Sequence, residues 1–342
     1  MAKHLFIVGP GDVAARALPQ LVAGFEVMAM ARTHERAAEL ARLGVQTRVG
    51  DLDRPESLSF LSDVLTDSVP AEFLLHCAPP ALSGTRDERT RLLLSVLDSA
   101  VPKDLPKTSG ILPRRVVYVS TSGVYGDCGG ALVDESRPVN PGTDRARRRC
   151  DAEAVLTEWC AARGVALVIL RVPGIYAADR LPLERLRKGT PVLRREDDVY
   201  TNHIHADDLA AICVRALDDS VPAGIYNASD DSDILMGDWL ELVAERFDLP
   251  RPPRIPRSEA PGRIGAPMLS FMSESRRLVN ARLKNVFGYV LRYPTVQDGL
   301  RAALGGKLPS PSVPLPEGEG RKALLPEGAG EKALLPRGEG LG

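Results

Sequence analysis

The feature that most constrains this chain is a glycine motif near its start: Gly9-x-Gly11-x-x-Ala14 follows the apolar run HLFIV and opens a helical pattern. Gly9 permits a tight turn, Gly11 lets the backbone approach a pyrophosphate, and Ala14 lets the helix pack closely on the strand. The start of such a helix also attracts phosphate charge. The motif therefore predicts a dinucleotide-binding site at the first strand–helix turn.

Short apolar runs alternate with helical patterns along the first two thirds of the sequence, for example FEVMAMA and then HERAAELARLG. Each cycle has the length of a βα unit, which predicts an α/β fold with a Rossmann-type doubly wound parallel sheet. After residue 228 the rhythm changes to the amphipathic pattern DILMGDWLELVAERF and a proline-rich segment. We predict an NAD(P)-binding Rossmann domain over residues 1–228 and a smaller C-terminal lobe over 229–302.

Residues 303–342 contain a ten-residue repeat of the type LPEGEGRKAL. Each copy places two or three leucines beside helix-breaking proline and glycine. That is too little apolar surface to offset the entropy of ordering the chain. We predict a disordered tail.

Composition narrows the classes of partner. Hydrophobic residues make up 44% and charged residues 26%, and the formal net charge of −1 offers no general attraction for nucleic acid or an anionic membrane. No apolar run is long enough to span a bilayer, and no signal-peptide pattern is present. The five cysteines are scattered, odd in number and without metal-ligand spacing. We expect a cytoplasmic protein with reduced thiols that binds a small-molecule substrate, and no metal, nucleic acid or membrane.

The end of the second strand bears on which dinucleotide is bound. An NAD-binding chain places a carboxylate there for the ribose hydroxyls, whereas this sequence has Ala31 followed by Arg32. A guanidinium beside a missing carboxylate suits a 2′-phosphate, so the pattern favours NADP(H) over NAD(H). The alternative is that Arg32 is a solvated loop residue. Asp51, after the third strand, is interpreted either as an acceptor for the adenine amino group or as a helix cap.

The ordered series IVGPGDVAA, LLHCAPP, VVYVSTSGVYGD, ILRVPGIYA, NHIHADDLA and LRYPTVQDGL resembles the extended short-chain dehydrogenase/reductase superfamily. Within it the sequence is most similar to the NAD-dependent epimerase/dehydratase group, especially its YeeZ-like members, over roughly residues 3–302. The resemblance implies that residues 229–302 form a small C-terminal substrate lobe and that parts of 173–200 face the substrate. It also implies an enzyme that acts on a small polar carbonyl or hydroxyl compound or on a sugar nucleotide. Members often pair through the helices that follow the fourth and fifth strands, so a homodimer is one expected assembly.

The resemblance also implies a catalytic arrangement that this sequence alters. In the family a Ser/Thr at the end of the fifth strand contacts the reacting oxygen, and a Tyr-x-x-x-Lys on the next helix supplies the acid or base and holds the ribose. The hydroxyl position corresponds to Thr121. With Glu153 as the anchor of the lysine-x-x-x-glutamate pattern, Arg149 takes the lysine position and Arg145 the tyrosine position.

This replacement changes what the helix can do. A guanidinium stays protonated at cellular pH, so Arg145 cannot serve as an ordinary proton donor or base. Arg149 can hold ribose hydroxyls or bind a substrate anion. The plain alternative is a charged helix surface that includes Arg147 and Arg148, with Arg149 and Glu153 paired one turn apart. A nucleic-acid site is disfavoured by the neutral net charge.

If catalysis survives the change, another group must donate the proton, and the candidates are Tyr125, shortly after Thr121, and Tyr176, after the sixth strand. For both, the alternative is that the ring packs in the core. The predicted catalytic residues are Thr121, Arg145, Arg149, Tyr125 and Tyr176. The predicted cofactor-binding residues are Gly9, Gly11, Asp12, Val13, Ala14, Arg32, Asp51, Leu52, Ala78, Arg149 and Pro173. The competing hypothesis is a non-catalytic NADP(H)-binding redox sensor or interaction module.

Overall fold

The computed structural model describes residues 3–61, 71–99 and 112–305. Its strands, numbered along the chain, are β1 (Lys3–Val8), β2 (Phe25–Ala31), β3 (Gln46–Val49), β4 (Phe73–His76), β5 (Arg115–Thr121), β6 (Leu132–Val133), β7 (Ala166–Val172), β8 (Gly174–Tyr176), β9 (Val192–Leu193), β10 (Tyr200–Thr201), β11 (His203–His205), β12 (Gly224–Asn227), β13 (Ile234–Leu235), β14 (Arg254–Ile255) and β15 (Arg277–Leu278). Seven strands form one sheet in the order β12-β7-β5-β4-β1-β2-β3, and every pairing in it is parallel. The strand order reverses between β1 and β4, which is where doubly wound sheets open a ligand crevice.

The helices of the described residues are α1 (Asp12–Gly24), α2 (His34–Ala41), α3 (Glu88–Ser99), α4 (Asp144–Ala161), α5 (Leu183–Arg187), α6 (Ala206–Ala216), α7 (Met236–Arg246), α8 (Ala266–Phe271), α9 (Ala281–Asn285) and α10 (Val296–Ala303). None of these helices is long and apolar enough to cross a membrane.

Helices cover both faces of the sheet because side chains of each strand point alternately to opposite sides. In β1, Leu5 and Ile7 face a core formed with α1 and α6, while Phe6 and Val8 face a second core formed with α3 and α4. Burying each large apolar side chain contributes about 1.5–3 kcal/mol. The two covered faces confirm the predicted Rossmann-type doubly wound fold.

A smaller group of elements follows the sheet and has a core of its own. Trp239 and Leu240 of α7 pack there against Tyr176 and against Val296 and Leu300 of α10. The cluster joins residues of the predicted lobe, 229–302, to Tyr176, Leu186 and Val192 of the predicted Rossmann domain, and the bounds of both domains stay predictions. The predicted tail lies outside the described residues from position 306 onward.

Part of that lobe returns to the sheet domain. Leu283 and Phe287 are fully buried in the core that contains α1 and α6, and the ring of Phe287 lies 5.0 Å from that of Tyr226 in β12. Sheet and lobe therefore share core residues.

The buried carboxylate of Asp208 in α6 holds the segment that follows α9 against the sheet domain. It accepts hydrogen bonds from the Tyr289 hydroxyl (2.8 Å) and from the backbone N–H groups of Arg292 (2.8 Å) and Tyr293 (2.9 Å). Burial raises the pKa of Asp208, and these bonds act against that rise. A carboxylate satisfied in this way holds the segment after α9 against the sheet domain.

Candidate functional site

The glycine turn between β1 and α1 has the geometry of a phosphate cradle. Gly9 has φ of +77°, and a Cβ atom there would lie 2.5 Å from the backbone N and Cα of Ala78. Gly11 has φ of −77°, and a Cβ atom there would meet nothing nearer than the Gly9 carbonyl oxygen at 4.0 Å. Gly9 is therefore required by the fold, whereas the space beside Gly11 is open to a ligand. This arrangement fits a pyrophosphate bound at the start of α1.

A cavity of about 460 Å³ lies beside this turn, at the carboxyl ends of β1, β2, β3 and β4. Six of the predicted cofactor-binding residues line it: Gly9, Gly11, Arg32, Asp51, Leu52 and Ala78. Sequence reasoning missed Thr33, Arg36, Cys77 and Arg89, which also line it. The cavity is the described pocket that best fits the adenosine half of a dinucleotide.

The other predicted cofactor residues do not line the cavity. Ala14 is buried under the turn, and Val13 packs against the same core. Pro173 is half-buried directly after β7. Asp12 accepts hydrogen bonds from Arg16 (3.1 Å) and Arg180 (2.9 Å). Burial acts to raise the pKa of Asp12, but these two guanidinium groups outweigh it and leave the pKa below its usual range.

Three arginines bring positive charge to the cavity. Arg36 donates to the Pro10 carbonyl oxygen (3.0 Å) and so ties α2 to the glycine turn. Arg89 of α3 donates to the Pro79 carbonyl oxygen (2.9 Å) and to Asp53 (2.8 Å), whose pKa it lowers. Arg32 is exposed and makes no hydrogen bond to the described residues. Arg32 does act on Asp53 through its charge and, like Arg89, lowers the pKa of that carboxyl.

Two predicted catalytic residues lie near the end of β5: Thr121 of the strand itself, and Arg149 of α4, which takes the lysine position of the family. Thr121 Oγ1 accepts the N–H of Gly123 (3.2 Å) and caps a 3₁₀ turn over Ser122–Tyr125. Arg149 Nη1 donates to the Tyr118 hydroxyl (2.8 Å) and to the Val119 carbonyl oxygen (2.9 Å). The helix register therefore places Arg149 across the end of β5.

Arg149 is also close to the cavity. Burial raises the pKa of the cavity-lining Cys77 thiol to about 12, and the positive charge of Arg149 acts against that rise. Because β4 and β5 are neighbouring strands, Arg149 lies near the part of the cavity wall that Cys77 forms, although it does not line the cavity itself.

The structure contradicts two parts of the alternative interpretation, in which the arginine-rich helix is only a charged surface. Glu153 does not pair with Arg149 but accepts hydrogen bonds from Arg171 of β7 (2.7 Å) and from Ser120 (2.5 Å), all three being buried. Arg148 is not on a charged helix surface: it is buried and donates to the Gly84 carbonyl oxygen (2.5 Å).

The remaining arginines of this helix lie nearer solvent. Arg147 is exposed and pairs with Asp144 (2.6 Å), in agreement with a charged helix surface. Arg145, also exposed, lies with its guanidinium carbon 4.3 Å from the centre of the Phe271 ring, which belongs to α8 in the small lobe. Arg145 therefore reaches from the sheet domain to the lobe.

Both predicted phenols are buried and bonded. The Tyr125 hydroxyl donates to Asn227 Oδ1 (2.8 Å), and the side chain is 1% exposed. The Tyr176 hydroxyl donates to the Thr295 carbonyl oxygen (3.3 Å) inside the lobe core. Burial raises the pKa of both phenols. The structure joins Thr121 and Arg149 at the end of β5, but neither phenol has a free hydroxyl there.

Among the described residues no group of three His, Cys, Asp or Glu side chains is arranged to hold a metal ion. All five cysteines are free thiols.

Solved structures with the same fold include proteins that bind nucleotides. A functionally unknown conserved protein from Silicibacter pomeroyi DSS is 26% identical, with a TM-score of 0.72 over 89% of this chain and 98% of that one. The enzyme WbmG from Bordetella bronchiseptica, solved with NAD and UDP, is 16% identical, with a TM-score of 0.66 over 89% and 93%. A UDP-glucose 4-epimerase from Thermotoga maritima, solved with UDP-glucose, is 15% identical, with a TM-score of 0.66 over 88% and 97%.

None of the curated proteins matches this sequence. The sequence model of the NAD dependent epimerase/dehydratase family, in contrast, matches residues 13–229, which is more than half of the chain. The matched range begins just after Gly9 and Gly11 and contains Ala14, the end of β5 and all of α4. This chain, with its parallel sheet and its crevice at the switch point, belongs to the NAD-dependent epimerase/dehydratase family.

Proposed function

We propose that this protein is an NAD(P)-dependent enzyme of the epimerase/dehydratase type, acting on a small polar carbonyl or hydroxyl compound or on a sugar nucleotide. The observation that carries the proposal is the position of Arg149, which lies across the end of β5 and close to Cys77 in the cavity wall. Arg149 would then take the role of the family's lysine, which holds the nicotinamide ribose. We also propose that the protein is cytoplasmic.

The glycine turn and the arginines would bind different parts of the cofactor. Backbone N–H groups at the start of α1 would hold the pyrophosphate, and Arg32 would pair with a 2′-phosphate, which supports a preference for NADP(H). The bound cofactor would supply hydride transfer. Thr121 would hydrogen-bond the reacting oxygen, and Arg149 would orient the ribose through its donors.

The source of the proton decides between two functions. Arg145 cannot release a proton at neutral pH, so in the enzyme we assign proton transfer to Tyr125 or Tyr176. Either phenol must first break its hydrogen bond to Asn227 or to Thr295. Because both hydroxyls are engaged, this observation favours the second candidate function, a non-catalytic NADP(H)-binding redox sensor or interaction module.

A binding and turnover experiment tests both. The full chain is titrated calorimetrically with NADPH, NADP, NADH and NAD, and nicotinamide absorbance is followed over a panel of carbonyl compounds and UDP-sugars. Binding with turnover supports the enzyme, and binding without turnover supports the sensor. If none of the four dinucleotides binds, both functions are refuted.

A double substitution then tests the assignment of the helix positions. Arg145→Tyr with Arg149→Lys restores the phenol and the ammonium group of the Tyr-x-x-x-Lys pattern. The double substitution should create or raise activity if the loss of these two groups is the only defect. The matched control is Arg147→Tyr, since Arg147 is exposed on the same helix and pairs with Asp144. A folded, cofactor-binding but inert double variant would show that the helix assignment is wrong or that the substrate pocket is absent.

We further propose a homodimer formed through α3 and α4. A groove between these helices is lined by Leu94, Val155 and Trp159 together with charged side chains. Light scattering coupled to size-exclusion chromatography measures the mass directly, and a monomer at micromolar concentration would exclude this assembly.

A further inference from the structure

The start of α4 and the neighbouring part of the lobe carry more positive than negative charge. Arg145 is attracted by Glu274 and repelled by Arg149, Arg276 and Arg148. Glu274 is thus the carboxylate that attracts Arg145, whereas three guanidinium groups repel it. Glu274 is already engaged, because it accepts a hydrogen bond from Arg276 Nη1 (2.8 Å). Arg276 and Arg149 also attract the carboxylates of Asp127 and Asp87, whereas Arg145 has no carboxylate within salt-bridge distance among the described residues.

The Arg145 side chain packs on an aromatic ring but has no hydrogen-bonding partner among the described residues. It makes no hydrogen bond to the described residues, and its guanidinium lies 4.3 Å above the Phe271 ring. Burial lowers the pKa of Arg145, and repulsion from the other arginines lowers it further. A guanidinium stacked on an aromatic ring keeps its N–H groups available at its edge, where they match the oxygens of a carboxylate or phosphate.

Arg276 supplies a second set of donors. Its Nη1 donates to the Gly126 carbonyl oxygen (2.7 Å), while its Nε is buried without a partner among the described residues. The backbone around it is fixed, because the Ser275 carbonyl oxygen accepts the N–H groups of Cys128 and Gly130, each at 3.0 Å. An unpaired buried donor is costly, so a ligand oxygen within its reach would remove that cost.

We propose that Arg145 and Arg276 form an oxyanion subsite that binds a carboxylate or phosphate group of the substrate. The anion would occupy the place where the tyrosine of related enzymes meets the substrate. The inference rests on the proposed function and narrows its substrate to a compound with an anionic group near the reacting carbon. Arg145 would then position the substrate, and the proton would come from elsewhere.

The test measures anion binding without turnover. The full chain is titrated calorimetrically with inorganic phosphate and, separately, with malonate as a carboxylate probe. We expect Arg145→Gln to weaken binding of the preferred anion at least about tenfold, as loss of a charge-assisted pair implies. The matched control Arg147→Gln should change it less than about twofold, because Arg147 pairs with Asp144 on the surface.

Two further variants separate charge from packing. Glu274→Gln removes the carboxylate of the cluster and should tighten binding by about threefold or more, because it leaves the arginines less neutralised. Phe271→Leu keeps every charge but removes the stacking surface, and should weaken binding by about three- to tenfold. Substituting Arg276 is less informative, since it also holds the Gly126 carbonyl oxygen.

Phosphate binding that depends on Arg145 supports a phosphorylated substrate, and malonate binding that depends on Arg145 supports a carboxylated one. Equal affinity in the wild type and in Arg145→Gln would overturn the subsite, since phosphate would then be bound elsewhere, for example at the glycine turn. Absence of binding by both probes would overturn it as well. A parallel NADPH titration separates the two failures: intact NADPH binding without an Arg145-dependent anion site refutes only this subsite, whereas lost NADPH binding refutes the proposed function.

Discussion

Replacing Gly9 by alanine should destabilise the protein through two separable effects. An L residue at φ of +77° costs about 1–2 kcal/mol. The new methyl group would lie 2.5 Å from backbone atoms of Ala78, far inside normal contact distance, and overpacking of this kind costs about 1–3 kcal/mol. Ala78 cannot easily retreat, because the preceding residue, Cys77, donates its N–H to the Val8 carbonyl oxygen (2.8 Å). We therefore expect a loss of about 2–5 kcal/mol.

Two other glycines provide matched controls. Gly44 has φ of +81° with nothing within 4 Å of a Cβ atom, so Gly44→Ala should lose only the conformational part, about 1–2 kcal/mol. Gly11 has an ordinary φ of −77°, so Gly11→Ala should leave stability nearly unchanged. It should still weaken dinucleotide binding, because its methyl group would enter the open space beside the turn.

The measurement is urea unfolding of all three variants, followed by the fluorescence of Trp159 and Trp239. Dinucleotide affinity is measured calorimetrically on the same samples. The reasoning fails if Gly9→Ala unfolds at the same urea concentration as Gly44→Ala, because the close approach to Ala78 would then contribute nothing.

Other predictions follow from the charges. Arg32→Gln should weaken NADPH binding at least about tenfold and NADH binding less than about twofold by calorimetry, with the exposed Arg42→Gln as the control. Glu153→Gln should lower the free energy of unfolding by about 3–5 kcal/mol in urea, because it leaves buried Arg171 without a counter-charge. Burial raises the pKa of Asp230 from 3.8 to about 8, so its folded form holds a proton that the unfolded form has lost. Stability should therefore fall as the pH rises from about 4 to about 8, and Asp230→Asn should remove that part of the slope in unfolding curves measured across this range.

Local patterns predicted the sheet and the phosphate turn, because both depend on residues close together in sequence. The spacing of Gly9, Gly11 and Ala14 fixes the turn within a few residues, and alternating apolar runs define the βα units. Arg89 was not predictable in this way. It reaches the cavity from α3 and meets Asp53 across 36 positions of the chain, and no local pattern encodes that contact.

The arginine-rich helix shows the same limit. A helical wheel pairs Arg149 with Glu153, but Arg171 of β7 and Ser120 of β5 occupy the carboxylate instead. Arg149 then turns to the end of β5, where Tyr118 and Val119 accept its hydrogen bonds. Long-range partners in a buried environment outweigh a pair worth a few tenths of a kcal/mol on a solvated helix.

Residues 283–291 pack in the core of the sheet domain, and this affects when that domain can fold during synthesis. A growing chain that ends at β12 holds all seven strands of the sheet, yet it lacks the Phe287 ring that covers Tyr226. We expect the sheet to complete its core only after Leu283 and Phe287 have left the ribosome. A prematurely terminated product would keep apolar surface uncovered, the state that chaperones and proteases recognise. We therefore expect the sheet domain to reach its stable form only after the lobe has been synthesised.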